Sequence, residues 1–235
     1  MIVLGLDTET WTAAVGVTRD GVVLAEDVEA MSRSHVTSLP GLVQRVLARA
    51  GLGIGDVEGL AISIGPGSFT GLRIGLGLAK GLAFAGGLPL ATVPTLEALA
   101  AVAEAEPGQC VCAALDARKR EVYAALFDVD ADGEPHRRSH DLALSPDALA
   151  AELPAGTVLV GDAAAAYPDV LGAGLIVRPF ATHHPRGGTV ARLGARRLAA
   201  GEAVDVGAVE PVYVRPSEAE LAHANARPER KAPVR

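Results

Sequence analysis

One stretch, residues 60–75, limits what this chain can fold into more than any other part of the sequence. It opens with an apolar run that predicts a buried strand, and Gly65-Pro66-Gly67 then breaks that strand. Ser68 stands where the N-cap of a helix belongs, and a long apolar segment follows as far as Ala85. The pattern therefore predicts a strand, a tight turn and a helix. The free N–H groups at such a helix start either hold an anion or only complete the turn.

The composition limits the fold class and the kinds of partner. The 235 residues suffice for one large domain or two small ones, and 49% of them are hydrophobic but only 3% aromatic. A core built from aliphatic side chains suits sheets that are covered by helices. The net charge of −7 argues against direct binding of nucleic acid, because neutralising phosphates requires clustered Lys and Arg side chains. Any contact with RNA is therefore expected only through another subunit of a complex.

The first residues and the longest apolar stretch bear on the location of the protein. The start, from Met1 to Asp7, lacks the basic segment and the cleavage site of a signal peptide, so we expect a cytoplasmic protein. The stretch over residues 74–93 is long enough for a membrane span, but it contains Lys80, Pro89 and several glycines. We therefore interpret it as a buried helix followed by a strand, and we expect no contact with a membrane.

The sequence pattern occurs twice along the chain. In the first half, a strand that ends in Asp7 is followed by a hairpin with Asp20-Gly21 at its turn, and in the second half a strand that ends in Asp116 is followed by a returning strand. The predicted strands and helices of the first half are 3–6, 12–17, 22–25, 38–50, 60–64, 68–85, 88–93 and 95–105. Those of the second half are 111–115, 121–129, 158–160 and 190–200. The repeat predicts a duplicated α/β fold with subdomains at 1–106 and 107–216, a cleft between them, and a disordered tail over 217–235.

Three segments give the chain its resemblance to known proteins: Gly5-Leu6-Asp7-Thr8, residues 63–75, and residues 116–123. The repeated strand, aspartate and hairpin resemble the actin-like ATPase superfamily. Together the three segments resemble the TsaB (YeaZ) family, which takes part in making threonylcarbamoyladenosine on tRNA. The resemblance extends to about residue 215, and it implies a duplicated actin-like (ASKHA, ribonuclease H-like) fold with two subdomains.

A comparison with the related TsaD family suggests that this chain has no catalytic residue and no metal site. TsaD proteins hold a metal with a His-Leu-Glu-x-His element, in which the two histidines share one helix face. The matching element here is Thr95-Leu96-Glu97-Ala98-Leu99, so Thr95 and Leu99 stand where the two ligands would be. Threonine is a poor metal ligand and leucine is none. The resemblance therefore implies a non-catalytic scaffold or activator that works with a TsaD-like catalytic subunit and a TsaE-like ATPase.

The predicted helix over 68–85 carries two rows of small residues with a spacing of four: Gly71, Gly75 and Ala79, and Gly77, Gly81 and Ala85. Each glycine in a helix costs about 1 kcal/mol relative to alanine, so the rows indicate close approach of another element, either within the chain or from a partner. The resemblance implies a partner surface on this helix, shared with the TsaD-like subunit or with a second copy when the chain is alone. The residues of this predicted surface are Gly71, Arg73, Ile74, Gly75, Leu78, Gly81 and Leu82.

The positions that hold nucleotide in actin-like ATPases predict at most a vestigial site. These positions are Asp7, Thr8, Asp116, Gly161 and Asp162. Asp7 is followed by no glycine, and Glu9 would repel a phosphate. We therefore expect no cofactor, except for a nucleotide at a partner interface. The alternative is a small kinase that resembles type III pantothenate kinases, although their Asp-x-Gly-Asn-Thr loop has its glycine where Glu9 stands here.

The adjacent Ser34 and His35 invite interpretation as a hydrolase pair. Neighbouring residues rarely form a nucleophile and its base, and the chain has no Gly-x-Ser-x-Gly elbow. A protease activity is therefore not expected.

Overall fold

The computed structural model describes residues 1–30 and 39–214. The elements of the first half are β1 (Ile2–Asp7), β2 (Thr12–Arg19), β3 (Val22–Ala30), α1 (Leu39–Arg49), β4 (Gly59–Ser63), α2 (Phe69–Gly86), β5 (Leu90–Val93) and α3 (Thr95–Ala100). Those of the second half are β6 (Cys110–Arg118), β7 (Glu121–Val129), β8 (Pro135–Arg137), β9 (Leu142–Leu144), α4 (Pro146–Glu152), β10 (Val158–Val160), α5 (Ala163–Ala166), β11 (Ile176–Val177) and α6 (Gly187–Ala199).

The two halves repeat one sheet topology. The first sheet has the order β3-β2-β1-β4-β5, and the second has the order β8-β7-β6-β10-β11, with β9 also paired to β7. In each sheet the opening strand runs antiparallel to the next strand and parallel to the strand on its other side. The second sheet therefore repeats the first, strand for strand. This confirms the predicted duplicated actin-like, ribonuclease H-like α/β fold.

Local sequence signals account for the elements that were predicted best. At the β2–β3 turn, Asp20 and Gly21 have φ values of 52° and 81°, the left-handed conformation that an Asp-Gly hairpin turn uses. The hydroxyl of Ser68 accepts a hydrogen bond from the Gly71 N–H at 3.3 Å and caps α2, as predicted. Helix α3 is shorter than predicted and α6 begins three residues earlier. The short elements β8, β9, α4, α5 and β11 are too short for a periodic signal and were missed.

The last helix of each half packs against the sheet of the other half. Leu96 and Leu99 of α3 lie in one buried cluster with Phe127 of the second sheet. Ala191 of α6 lies in a cluster with Val3 of the first sheet. The subdomain boundary predicted at 106/107 stays a prediction. The apolar side of α6 packs with the first sheet, although α6 belongs to the second half of the sequence.

Glycines let α6 lie directly on the first sheet. A β carbon added to Gly16 would lie 2.1 Å from the backbone nitrogen of Gly188, and one added to Gly5 would lie 2.3 Å from that of Ala191. One added to Gly194 would lie 2.2 Å from the β carbon of Ala61. Because such distances are far inside van der Waals contact, these positions leave no room for a side chain.

Ion pairs connect α6 to both halves of the chain. Arg197 donates two hydrogen bonds to the carboxylate of Glu97 in α3, each at 2.9 Å. Glu134, just before β8, accepts from Arg192 and Arg196 at 2.8 Å. These groups are partly exposed, so each pair contributes on the order of 1 kcal/mol or less. Their main consequence is positional, because they hold α3 and the β7–β8 turn against the same helix.

Two sequence predictions lie outside the described residues. They are the disordered tail over 217–235 and the interpretation of Ser34 and His35. Within the part of the chain that the structure describes, no helix has the length and apolar character needed to cross a membrane.

The contact between α6 and the first sheet can be tested with one methyl group. Gly16→Ala is expected to lower the free energy of unfolding by about 3 kcal/mol, because the added carbon meets the backbone of Gly188. The matched control is Gly41→Ala in α1, where the nearest atom is the flexible end of Arg45 at 3.8 Å. The control is expected to raise stability slightly through helix propensity. Urea denaturation measures both, and equal stabilities for the two variants would contradict the packing described.

Candidate functional site

The candidate site is a cleft between the two halves, with a volume of about 320 Å³. The turn after β1, the start of α2, the end of β6 and the residue before α5 all contribute to it. The side chains that give the cleft its chemistry are Glu9, Trp11, Ser68, Phe69, Asp116, Arg118, Tyr123 and Asp162. It is the cleft that the duplicated sequence predicts.

The turns that follow β1 and β6 meet across the mouth of this cleft. The indole N–H of Trp11 donates a hydrogen bond to Asp162 at 3.2 Å. The guanidinium of Arg118 lies 4.6 Å from the centre of the Trp11 ring and 3.1 Å from the carboxylate of Asp116. Residues of the two halves are therefore joined through one indole ring, which fills space between the turns.

The structure separates the five residues of the predicted vestigial nucleotide site. Asp116 and Asp162 line the cleft, and the Asp116 N–H donates to the Asp162 carboxylate at 2.8 Å. Asp7 and Thr8 are fully buried behind it, and the Thr8 hydroxyl donates to the carbonyl of Gly71 at 2.8 Å. Gly161 has φ +118°, and a β carbon there would lie 1.9 Å from the carbonyl oxygen of Ala114. Two of the five residues thus reach the cleft, and the other three are buried.

Two carboxyl groups are buried behind the turn after β1. Asp7 is 0% exposed and Glu9 is 2% exposed. Desolvation raises the pKa of Asp7 to about 6, although the nearby Ser63 hydroxyl and the hydrogen bond from the Glu9 N–H partly oppose the rise. Desolvation also raises the pKa of Glu9 well above its usual range, and the neighbouring charge of Asp7 adds to this. Both oxygens of the Glu9 carboxyl group lack a hydrogen-bond partner among the described residues.

The two rows of small residues on α2 have different surroundings. A β carbon at Gly71 would lie 1.9 Å from the Thr8 carbonyl oxygen, and one at Gly75 would lie 2.2 Å from the Thr8 hydroxyl. For Gly77 and Gly81, no described atom lies within 4 Å of that position. The row of Gly71 and Gly75 therefore packs inside the chain, and their assignment to a partner surface was wrong because Thr8 covers them.

The opposite side of α2 is open. Arg73 and Gly81 are exposed, Phe84 is 75% exposed, and Ile74 is half-buried. The half-buried Leu78 and Leu82 border an apolar groove of about 330 Å³ between α1 and α2, whose other apolar walls are Pro40, Val43, Leu47, Leu52 and Ile54. The predicted surface residues other than Gly71 and Gly75 thus share this open side, and their role as a partner surface stays a prediction.

Thr95 and Leu99, which stand at the predicted positions of lost metal ligands, both serve the fold. The Thr95 hydroxyl accepts a hydrogen bond from the Gly65 N–H at 3.0 Å and holds the turn before α2. Leu99 is fully buried in the core of the second sheet. The absence of a metal and of catalytic residues stays a prediction from the sequence.

Sequence reasoning missed the aromatic walls of the cleft, which are Trp11, Phe69 and Tyr123. The available signal was position. Phe69 and Tyr123 lie inside two of the three segments that carry the resemblance, and Trp11 follows the first segment by three residues.

The buried Asp7 predicts a pH-dependent effect on stability. Its pKa is higher in the folded state than in the unfolded chain, so folding binds a proton and stability falls as pH rises from about 4 to about 6. Asp7→Asn removes that loss. The variant is therefore expected to be more stable than the parent above pH 6.5, by on the order of 3 kcal/mol, and the advantage should shrink towards pH 4. Urea denaturation across this range measures it, and a difference that does not change with pH would contradict the burial of an ionisable Asp7.

Comparisons with known proteins agree with this architecture. A family model described as TsaD, tRNA N6-adenosine threonylcarbamoyltransferase, matches residues 24–136. The tRNA threonylcarbamoyladenosine biosynthesis protein TsaB of Escherichia coli (strain K12) is 36% identical over 92% of this chain and 95% of its own length. The protein of the same name from Bacillus subtilis (strain 168) is 29% identical over 94% and 96%. The solved structure of YeaZ from Pseudomonas aeruginosa has a TM-score of 0.79 and 30% identity, and the match covers 91% of this chain and 99% of that one. The chain therefore belongs to the TsaB family.

Proposed function

We propose that this chain is a non-catalytic scaffold and activator in the synthesis of threonylcarbamoyladenosine on tRNA. It binds a TsaD-like catalytic subunit and works with a TsaE-like ATPase in the cytoplasm. The complex transfers a threonylcarbamoyl group to the adenosine next to the anticodon, and tRNA contacts this chain only through the complex. The observation that carries the proposal is the open glycine row of α2, Gly77 and Gly81.

The glycines of α2 point to a partner because the internal ones are already explained. Each glycine within a helix costs about 1 kcal/mol relative to alanine. At Gly71 and Gly75 the contact with Thr8 offsets that cost, since no larger residue fits. Gly77 and Gly81 have no such neighbour among the described residues. A helix from another subunit that lies against them would supply the missing close contact.

The chemistry around these glycines suits an apolar partner. Phe84 is 75% exposed next to them, and the groove between α1 and α2 is lined mainly by aliphatic side chains. Exposed apolar surface of this kind is typical of an interface. The TsaD family model matches residues 24–136, which include α1 and α2, so a TsaD-like subunit is expected to present a related helix pair. The same face would bind a second copy when the chain is alone.

The cleft supports the non-catalytic part of the proposal. The Arg118 guanidinium stacks on the Trp11 ring, and the two side chains fill part of the cleft between the turns. Asp116 and Asp162 add negative charge to the same space. This arrangement disfavours a phosphate, in agreement with the expectation of no cofactor.

Gly81→Leu tests the proposed partner surface. The added side chain points into open space, so the melting temperature of the isolated chain is expected to stay within about 2 °C of the parent. Co-purification with the TsaD-like subunit is expected to fall at least tenfold, because the leucine prevents close approach of the partner helix.

Two further variants make this result specific. Gly75→Leu is expected to destabilise the isolated chain itself, because its side chain would meet Thr8. Ala151→Leu adds an exposed leucine on α4, on the other half of the chain, and is expected to change neither property. If Gly81→Leu still binds the TsaD-like subunit as tightly as the parent, the partner surface lies elsewhere.

The kinase alternative predicts that the isolated chain binds and hydrolyses Mg-ATP, whereas the proposed scaffold predicts neither. Calorimetry of the isolated chain with Mg-ATP is expected to show no saturable binding at micromolar concentrations, and a turnover assay is expected to show negligible hydrolysis. Micromolar binding that Asp7→Ala abolishes would instead favour a small kinase of the actin-like superfamily.

A further inference from the structure

The open side of α2 carries two cations that have no counter-ion in the part of the chain that the structure describes. Arg73 and Lys80 form no ion pair there. The Nε of Arg73 donates a hydrogen bond to the hydroxyl of Tyr213 at 3.3 Å, and the Nζ of Lys80 donates one to the carbonyl oxygen of Gly207 at 3.3 Å. Both acceptors are neutral, so each cation keeps its charge and further N–H donors for a carboxylate.

The surroundings of these two cations contain little negative charge. Helices α1 and α2 have basic residues but no Asp or Glu, although the whole chain has a net charge of −7. The two arginines of α1 are paired with carboxylates of β3. The segment 205–213 runs back along α2 and carries Asp205 and Glu210, but neither carboxylate lies within 4.0 Å of Arg73 or Lys80. The pair on α2 is therefore the unmatched charge of this face.

The two cations form one rim of the open glycine row. Successive residues of an α-helix are about 100° apart around its axis, so Arg73 and Lys80 project within about 20° of each other. Gly77 and Gly81 follow at about 40° and about 80° from Arg73, and Leu82, which borders the apolar groove, lies beyond them. The glycine row thus separates a basic rim from an apolar rim. Along the helix axis the two cations are about 10 Å apart.

A second copy of the chain matches this face poorly. A closed dimer brings the same face of both copies together about a two-fold axis. If the two α2 helices pack antiparallel across Gly77, the basic rims meet, and Arg73 of one copy comes opposite Lys80 of the other. If they pack parallel, each basic rim meets the apolar rim of the other copy, and the cations lose water without gaining a carboxylate. Charge therefore opposes self-association in either orientation.

We propose that Arg73 and Lys80 select the partner of α2: they favour a helix with carboxylates two turns apart along one rim, and they oppose a second copy of this chain. The inference rests on the proposed function, in which that helix belongs to the TsaD-like subunit. The helix would lie over Gly77 and Gly81 and fill the groove between α1 and α2 with its apolar side. Two helical turns span about 11 Å, which matches the spacing of the cations. Charge-assisted hydrogen bonds from both cations would fix the register of the two helices.

Opposite responses to salt distinguish the two assemblies. Between about 50 mM and about 500 mM sodium chloride, the Debye length falls from about 14 Å to about 4 Å. The affinity of the full chain for the TsaD-like subunit is expected to fall about tenfold over this range, because salt screens the attraction. Self-association of the isolated chain is expected to strengthen, because salt screens the repulsion. Calorimetry measures the first affinity, and sedimentation velocity measures the second.

Lys80→Glu separates charge selection from a simple loss of packing. It is expected to weaken binding to the TsaD-like subunit about tenfold, since the new carboxylate faces those of the partner. It is expected to strengthen self-association about tenfold, since that carboxylate would lie opposite Arg73 of the second copy. The matched control is Arg138→Glu, an equal charge change at an exposed position of the second half, which is expected to alter neither affinity. If Lys80→Glu does not fold, Lys80→Gln is expected to act in the same directions, about threefold each.

The proposal is overturned if the Lys80 variant weakens both assemblies or changes neither, or if the affinity for the TsaD-like subunit does not fall with salt. Failure of the proposed function gives a different result, because the parent chain and the TsaD-like subunit would then form no complex at any salt concentration. Charge selection is still tested in that case, since self-association needs only this chain.

Discussion

The direct contact between α6 and the first sheet is the constraint on which the remaining arrangement depends. Gly16 meets Gly188, and Gly5 meets Ala191, at distances that exclude even a methyl group. Because α6 comes from the second half of the sequence, this contact brings the end of the chain back onto the first sheet, while α3 packs on the second. The reciprocal packing fixes how the sheets lie relative to each other. It thereby determines that the turns after β1 and β6 face each other across one cleft.

The two facing turns make a cleft whose chemistry differs from that of a phosphate site. Trp11 bridges to Asp162 and stacks under Arg118, so the turns contact each other through an indole ring. The Glu9 carboxyl group is buried nearby without a partner among the described residues. Burial of such a group costs free energy and favours its neutral form, so the pKa of Glu9 is raised well above its usual range. The open face of α2 lies outside the cleft, so one chain offers two chemically distinct surfaces.

Much of the fold was predictable because its signals are local. The Asp20-Gly21 turn and the Ser68 cap are decided by a few neighbouring residues, and the repeated pattern predicted two similar halves. The two faces of α2 could not be told apart in this way. Which glycine row is covered depends on Thr8, about sixty residues away in sequence, and no spacing rule reveals that contact. The aromatic lining of the cleft was missed for the same reason, since its rings come from three separate segments.

The most direct test of the central claim, that the chain activates a catalytic partner and performs no chemistry itself, is a reconstituted transfer assay. Purified TsaD-like and TsaE-like subunits, tRNA and threonylcarbamoyl-adenylate would be combined with and without this chain, and the modified adenosine would be quantified by mass spectrometry. We expect product only when this chain and the TsaD-like subunit are both present, and none from this chain alone. Equal product without this chain, or product from this chain and tRNA in the absence of the TsaD-like subunit, would contradict the account.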